Sequence, residues 1–468
     1  MTSRGPAVSR QLASITSRRP PCTGAWHRLS TDHPGLNHPA RIISRDGHTV
    51  SRKAISPNAL RVLYRLHEAG HAAFLVGGAV RDLLAGIQPK DFDVATDATP
   101  EQVRALFRNC RLIGRRFRLA HVVFGREIIE VATFRANADD GSGDRQVHDD
   151  GRVLRDNVYG SVEDDAIRRD FTANALYYNI ADFSIHDYVG GFEDVAARTM
   201  RLIGDAEARY REDPVRMLRA VRLSAKLGFS IAPGTAAPIP VLAELVHQAA
   251  PARLFDECLK MFLSGHAVAS FEGLERTGLL SALLPETAQS LAANRSGALR
   301  RMVVAGLANT DARVAADEPV SPTFLFALLL WPAYCRTLAQ LEAQGMHAAE
   351  AQRRAADRVT LHQTRSIAIP RRFSLPMQEI WLLQSRFGQR KRVGRMAAHP
   401  RFRAAYDFLQ LRERASGTHT SDVAFWASHY DGEGVIDADD EEGEPQDDAA
   451  PRRARKRPRR RRANPSAA

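Results

Sequence analysis

Leu75-Val-Gly-Gly-Ala-Val-Arg-Asp-Leu-Leu84, followed closely by Lys90-Asp-Phe-Asp-Val94, is the stretch from which the fold can be read. The apolar run Phe74-Leu-Val76 predicts a buried strand, and the residues after Gly77 and Gly78 predict a helix. Two glycines at such a turn let backbone N–H groups approach a phosphate with no Cβ in the way. The helix start adds partial positive charge, and Arg81 adds a full one. A tight strand–helix turn with a surface Arg81 explains the same residues. On a strand, Asp91 and Asp93 point the same way, roughly 6.6 Å apart, while Phe92 and Val94 face the core. Two carboxylates side by side repel, and a pair of Mg²⁺ ions relieves that repulsion. A solvated turn after Lys90 is the alternative.

Outward from this stretch, Glu127–Arg135 alternates as a strand. It places Glu130 among Ile128, Ala132 and Phe134 as a candidate third metal-site acid or a rim residue. Arg168-Arg-Asp-Phe-Thr-Ala-Asn-Ala175 supplies two guanidinium groups, Arg168 and Arg169, suited to bidentate phosphate binding. Asp170 and Asn174 share one helical face and are candidates to accept from ribose hydroxyls; a helix cap at Asp170 beside exposed arginines is the other reading. Glu212-Asp-Pro-Val-Arg-Met-Leu-Arg-Ala-Val-Arg222 starts a helix at Asp213-Pro214, with Arg216, Arg219 and Arg222 as a basic stripe. Adenine offers an N6–H donor beside an N1 acceptor, which an Asp–Arg pair matches. Cytosine offers the same pattern, so the pair alone does not choose between the bases.

The 468 residues allow two to four domains, and the net charge of +12 favours polyanionic partners such as nucleic acid. The four cysteines form no C-x-x-C pair, which argues against a zinc site or disulfide framework and for a reducing, cytoplasmic compartment. No unbroken apolar run reaches the ~18 residues that span a bilayer; the longest, Phe324–Trp331, reads as a buried helix. No membrane partner is expected.

Leu60, Leu63, Tyr64 and His67 make a helical stripe, Thr99–Gln102 a capping box, and residues 136–152 a polar loop. Beyond about residue 200 the period turns helical. Leu254, Phe255, Cys258, Leu259, Phe262 and Leu263 form one stripe, and Pro285, Pro319, Pro332 and Pro370 punctuate the rest. An acidic run, Asp437–Asp448, precedes a basic one, Arg452–Arg462; both read as solvated, the second with a potential hold on RNA phosphates.

In order and spacing, LVGGAVRDLL, DFDVAT, RRDFTANALYY and EDPVRMLRAVR resemble the class II nucleotidyltransferases, the family of poly(A) polymerases and tRNA CCA-adding enzymes. The resemblance covers about residues 42–415. It implies an α+β fold: a nucleotidyltransferase palm with a mixed sheet and helices, then all-α neck, body and leg domains, with disordered termini. The expected division is a 1–41 extension, a 42–190 catalytic head, a 191–275 neck, a 276–415 body and leg that bind RNA, and a 416–468 tail. The resemblance implies Asp91 and Asp93 as ligands of two Mg²⁺ ions, joined by Asp170 as a functional acid. It further implies that Gly77, Gly78 and Arg81 hold the triphosphate and that Asp213 and Arg216 read the base. Leu112–Val123, with Arg115, Arg116 and Arg118, is similar to the segment typical of bacterial poly(A) polymerases, as is the region from Ile369 to Phe408. The expected activity is therefore AMP addition from ATP to RNA 3′ ends, with CCA addition to tRNA as the alternative.

Overall fold

The computed structural model describes residues 27–28, 40–114, 118–136, 145–147, 153–156, 158–390, 393–417 and 421–429. Most of the 1–41 extension, Arg115 and Arg116, and the acidic and basic runs of the tail lie outside the described residues.

The amino-terminal half is built on strands β1 (His27–Arg28), β2 (Arg41–Ile43), β3 (Ala73–Val76), β4 (Asp93–Thr96), β5 (Cys110–Ile113), β6 (Leu119–Phe124), β7 (Glu127–Thr133), β8 (Arg145–Val147), β9 (Val153–Asp156), β10 (Leu176–Asn179) and β11 (Ile185–Asp187). Nine of them form one sheet in the order β1-β2-β11-β10-β3-β4-β7-β6-β5. Every neighbouring pair is antiparallel except β4 and β7, so the sheet is mixed, as expected. β8 and β9 form a separate antiparallel hairpin. It occupies part of the region read as a loop, because short polar strands carry no apolar alternation to announce them.

The helix α1 (Pro57–Glu68) is capped by Ser56 and covers one face of the sheet with Ala59, Val62, Leu63 and Leu66. The buried stripe is thus turned by about one residue from the expected one. Leu60 and Tyr64 flank it and His67 is exposed, since Val62 and Leu66 are the better core residues. The helix α2 (Gly78–Leu84) follows β3 directly. The helix α3 (Pro100–Leu106) begins with the expected capping box, Thr99 accepting from the Gln102 N–H and Gln102 from that of Thr99. The helix α4 (Val162–Arg168) carries the first arginine of the RRD motif.

From Ala206 onward the regular structure of the described residues is helical apart from one short strand, Ser230–Ile231, which pairs in parallel with Thr199–Met200. Pro285 and Pro370 sit at helix starts, as punctuation should. Pro332 does not: it lies inside the 22-residue helix Pro322–Ala343. By length and averaged hydropathy that helix could cross a bilayer, which a count of unbroken apolar residues misses, but 67% of its apolar window is buried in the protein. Proline in a helix interior frees backbone carbonyls. Here neighbouring helices answer nearby carbonyls: Thr287 Oγ1 donates to Leu329 O at 2.9 Å and Trp381 Nε1 to Ala327 O at 2.9 Å. Thr287→Val keeps the shape and removes the donor. It is expected to cost about 1–2 kcal/mol in urea unfolding; an unchanged midpoint would show that the Leu329 carbonyl is served in another way.

Candidate active site

A cavity of about 410 Å³ opens where the sheet meets the helices. Its floor is the sheet. β3 ends at Val76, which pairs with Asp93, and Asp93 pairs across the parallel β4–β7 ladder with Glu130. At the entry to β4, Phe92 and Val94 are buried and Asp91 and Asp93 turn to the opposite face, as the D-x-D spacing predicts, with the Asp93 carboxyl reaching into the partly enclosed cavity. Glu130 projects from the same face of β7 as exposed Ile128, with Ile129 and Val131 turned into the core. The two motif acids and Glu130 therefore come together on one face of the sheet at the start of β4, Asp91 just outside the cavity lining.

The crowding of acids has an electrostatic signature. Burial pushes the Asp93 carboxyl up to about 6; Glu130 and Asp91 push in the same direction and Arg169 opposes them. His121, paired with Glu130 across β6 and β7, lies 3.4 Å from its carboxylate. Among the described residues no three such side chains already form a closed metal cage. An acid pair in mutual repulsion beside a cavity nonetheless fits Mg²⁺. This ion is usually held by one or two carboxylates and completes its shell with water and substrate phosphate oxygens. Asp91 and Asp93 are the pair that would hold it, with Glu130 beside Asp93 as the candidate third acid.

One wall comes from the end of α4, with the Gly-Gly turn packed behind it, outside the cavity lining. Gly77 has φ +68° and ψ −131°, a conformation open essentially to glycine, and a Cβ there would come within 3.2 Å of Arg169 Nη1. Gly78 begins α2, where a Cβ would lie 3.4 Å from Arg81. Arg81 is buried at 3% exposure, its guanidinium given to Asp82 and to the Asn174 side-chain carbonyl. It supports the turn from below, outside the cavity lining. Arg168 and Arg169 both line the cavity. Arg168 donates to Ala136 O, and Arg169 is braced by Asp165 and Tyr177.

Asp170 also borders the cavity. Its Oδ1 accepts from Asn174 Nδ2 at 3.0 Å and from the Phe171 N–H at 2.8 Å, and its Oδ2 from Arg219 Nε at 2.8 Å. Burial pushes this carboxyl up, but Arg219 overrides burial, with Asn174 and the Phe171 N–H assisting, and holds it below the usual carboxylate range. Asn174 thus bridges Asp170 and Arg81, and Arg219 is the partner of Asp170. On the far wall, Asp213 and Arg216 face the cavity. Arg253 grips Asp213 through both oxygens, at 2.9 and 3.2 Å, and Arg216 Nη1 donates to Glu212 at 2.7 Å. Arg222 lies outside the cavity and donates to buried Glu257. Arg118, exposed, pairs with Glu101 on α3, and no described residue of Leu112–Val123 lines the cavity.

Four residues that complete the site went unnoticed in the sequence. Asp165 stands one helical turn before Arg169, a legible i,i+4 pair. Arg135, Arg253 and Tyr177 are brought in only by tertiary structure.

A cluster of acids on the sheet face under a basic, largely helical wall is the layout of a nucleotidyltransferase. Residues 73–201 match the family model described as the poly A polymerase head domain. Residues 228–291 match a probable RNA and SrmB-binding site of polymerase A, and residues 344–464 the polymerase A arginine-rich C-terminus. Poly(A) polymerase I of Salmonella typhi is 49% identical over 428 residues, 90% of this chain and 92% of that protein. The CCA-adding enzyme of Geobacillus thermodenitrificans is 37% identical over 231 residues, 49% of this chain and 55% of the other. Among solved structures, the Bacillus stearothermophilus CCA-adding enzyme in complex with CTP superposes with a TM-score of 0.54 at 27% identity, covering 80% of this chain and 82% of that one. The chain belongs to the poly(A) polymerase I family.

Proposed function

We propose that this protein extends RNA 3′ ends without a template, adding AMP from ATP and releasing pyrophosphate. The observation that carries the reading is the extent of the likeness to poly(A) polymerase I. It runs through the head and the helical region alike, whereas the CCA-adding enzyme of Geobacillus thermodenitrificans matches about half of the chain.

The RNA 3′-hydroxyl attacks the α-phosphate in line; the new P–O bond forms as the bond to the β-phosphate oxygen breaks. Bound Mg²⁺ would supply positive charge beside the reacting phosphate and make the hydroxyl a better nucleophile. Arg168 and Arg169 face the phosphates, and the Gly77–Gly78 turn lets the chain approach them closely, with Arg81 holding the turn. Asp170, pinned as a carboxylate by Arg219, accepts from a ribose hydroxyl by giving up one of its four present donors. Asp213 and Arg216 meet the adenine edge. Arg253 does not exhaust Asp213, because a carboxylate has about four acceptor positions. Arg222 contributes by holding Glu257. The helical region contacts RNA mainly at phosphates. The expected boundaries at 190, 275 and 415 belong to this reading; the head-domain and RNA-binding-site matches support their order. A cytoplasmic setting, where ATP and RNA meet, fits the free thiols Cys110, Cys258 and Cys335.

The test is an extension assay on an unstructured RNA and on a tRNA lacking its CCA end, with each nucleoside triphosphate alone and in mixture. Long A tails on both RNAs, with kcat/KM for CTP at least about tenfold below that for ATP, are expected. Addition of C-C-A that stops there, with little activity on the unstructured RNA, would replace this reading by the CCA-adding one.

A further inference from the structure

We propose that Tyr177, acting through Asp165, is the positioning residue that aims Arg169 at the β- and γ-phosphates of the incoming nucleotide. This rests on the phosphate role read above for Arg169. Tyr177 lies on β10 opposite Val76, the last residue before the Gly-Gly turn. It is fully buried, its ring wedged edge-on against Phe74 and Tyr188 at 6.0 and 6.1 Å. The ring therefore has one place to sit, and its hydroxyl is carried to a fixed point under α4.

There the phenol donates to Asp165 Oδ2 at 2.7 Å and accepts from Arg169 Nε at 2.8 Å. Asp165 Oδ2 also accepts from Arg169 Nη2 at 3.0 Å and Nε at 3.2 Å. Nη1 makes one long contact, 3.4 Å, to the Asn174 carbonyl. A guanidinium has five N–H donors. The Nε edge is spent on Tyr177 and Asp165, so the outer donors of Nη1 and Nη2 are left on the side that lines the cavity, above Gly77. Two parallel donors held in a plane match two phosphate oxygens. Burial, reinforced by Asp165, keeps the phenol protonated well beyond neutral pH, so its donor and acceptor roles do not exchange. The Asp165–Arg169 pair alone would leave the guanidinium free to pivot about one oxygen; the phenol removes that freedom.

The experiment compares full-length wild type with Tyr177→Phe, and with Asp165→Asn should the first variant fold poorly. Melting curves confirm folding. Steady-state extension gives KM for ATP and kcat, and inhibition is measured with pyrophosphate and with AMP. Pyrophosphate carries the groups Arg169 would grip, and AMP lacks them. The expected result is a rise of about tenfold in both the ATP KM and the pyrophosphate inhibition constant, kcat within about threefold, and unchanged inhibition by AMP. Equal weakening of AMP and pyrophosphate, the mark of general loosening, would overturn the proposal, as would unchanged pyrophosphate inhibition. An Arg169→Ala variant that keeps wild-type pyrophosphate inhibition would remove the phosphate role of Arg169 itself, and so separates that failure from a failure of Tyr177.

Discussion

Asp93→Asn is expected to lower AMP addition by about a thousandfold or more and, without divalent cations, to raise the melting temperature at pH 8. Both effects arise from the same carboxylate. The amide cannot serve a cation as the carboxylate does, so catalysis collapses; Asp91→Asn is expected to lose addition to a similar extent. The stability gain follows from the shift of Asp93 from an ordinary 3.8 up to about 6. The folded state holds this proton more tightly than the unfolded state. Stability from this group is therefore fullest below about pH 4 and is lost as pH rises through about 6. Asparagine imitates the protonated form and escapes that loss. Melting curves with a chelator at pH 5 and pH 8 should show the wild type falling further behind the variant at the higher pH. Wild-type-like addition by the variant, or a variant less stable than wild type at pH 8, would end this account.

Arg219→Leu is expected to have the opposite pH signature. Asp170 is held below the usual carboxylate range only because Arg219, Asn174 and a backbone N–H outweigh its burial. A depressed carboxyl contributes stability above its unfolded value and loses it as pH falls through the folded value. Without Arg219, burial dominates and the charged form becomes a burden at neutral pH. We expect about 2 kcal/mol of destabilisation at pH 7.5, discounted because Arg219 is 34% exposed. The deficit should shrink towards pH 5 as Asp170 takes up a proton. Addition should fall about a hundredfold through the misplaced acid. Urea unfolding at the two pH values decides; an equal deficit at both would show that Arg219 acts by packing.

The head was legible because its signals are local. β3, the Gly-Gly turn, the D-x-D alternation and the Thr99 capping box each depend on residues within one turn or strand. Pairs that join distant segments were not. Arg253 meets Asp213 across 40 residues, and Arg219 meets Asp170 across 49; nothing in either neighbourhood announces the other. The basic stripe Arg216–Arg219–Arg222 was visible as a pattern, yet the three side chains part company. Arg216 and Arg219 turn to the cavity and Arg222 to Glu257, because a three-residue spacing drifts around a helix of 3.6 residues per turn. Pro332 misled for another reason. Its cost in a helix is real, but Thr287 and Trp381, which bond the flanking Leu329 and Ala327 carbonyls, lie far away in sequence and reach them only after folding.

The helix Pro322–Ala343 also sets an order of assembly. Its cover comes from both directions along the chain. Pro285–Ala293 and Ala298–Ala315 lie before it; Ala348–Ser366, Arg371–Gln384 and Phe402–Ser416 come after. Trp381 stacks on Tyr334 at 5.0 Å, and Phe408 closes edge-on over Phe324 and Trp331 at 5.7 and 5.1 Å. During synthesis the most apolar segment of the protein therefore emerges well before its lid. When it emerges, only the two earlier helices are there to cover it, and its remaining apolar face waits for the residues around Phe408. A ribosome that stalls or terminates between 344 and 401 releases a chain with that apolar face still open, so errors in the carboxyl third should be lost as insoluble protein and not as inactive enzyme.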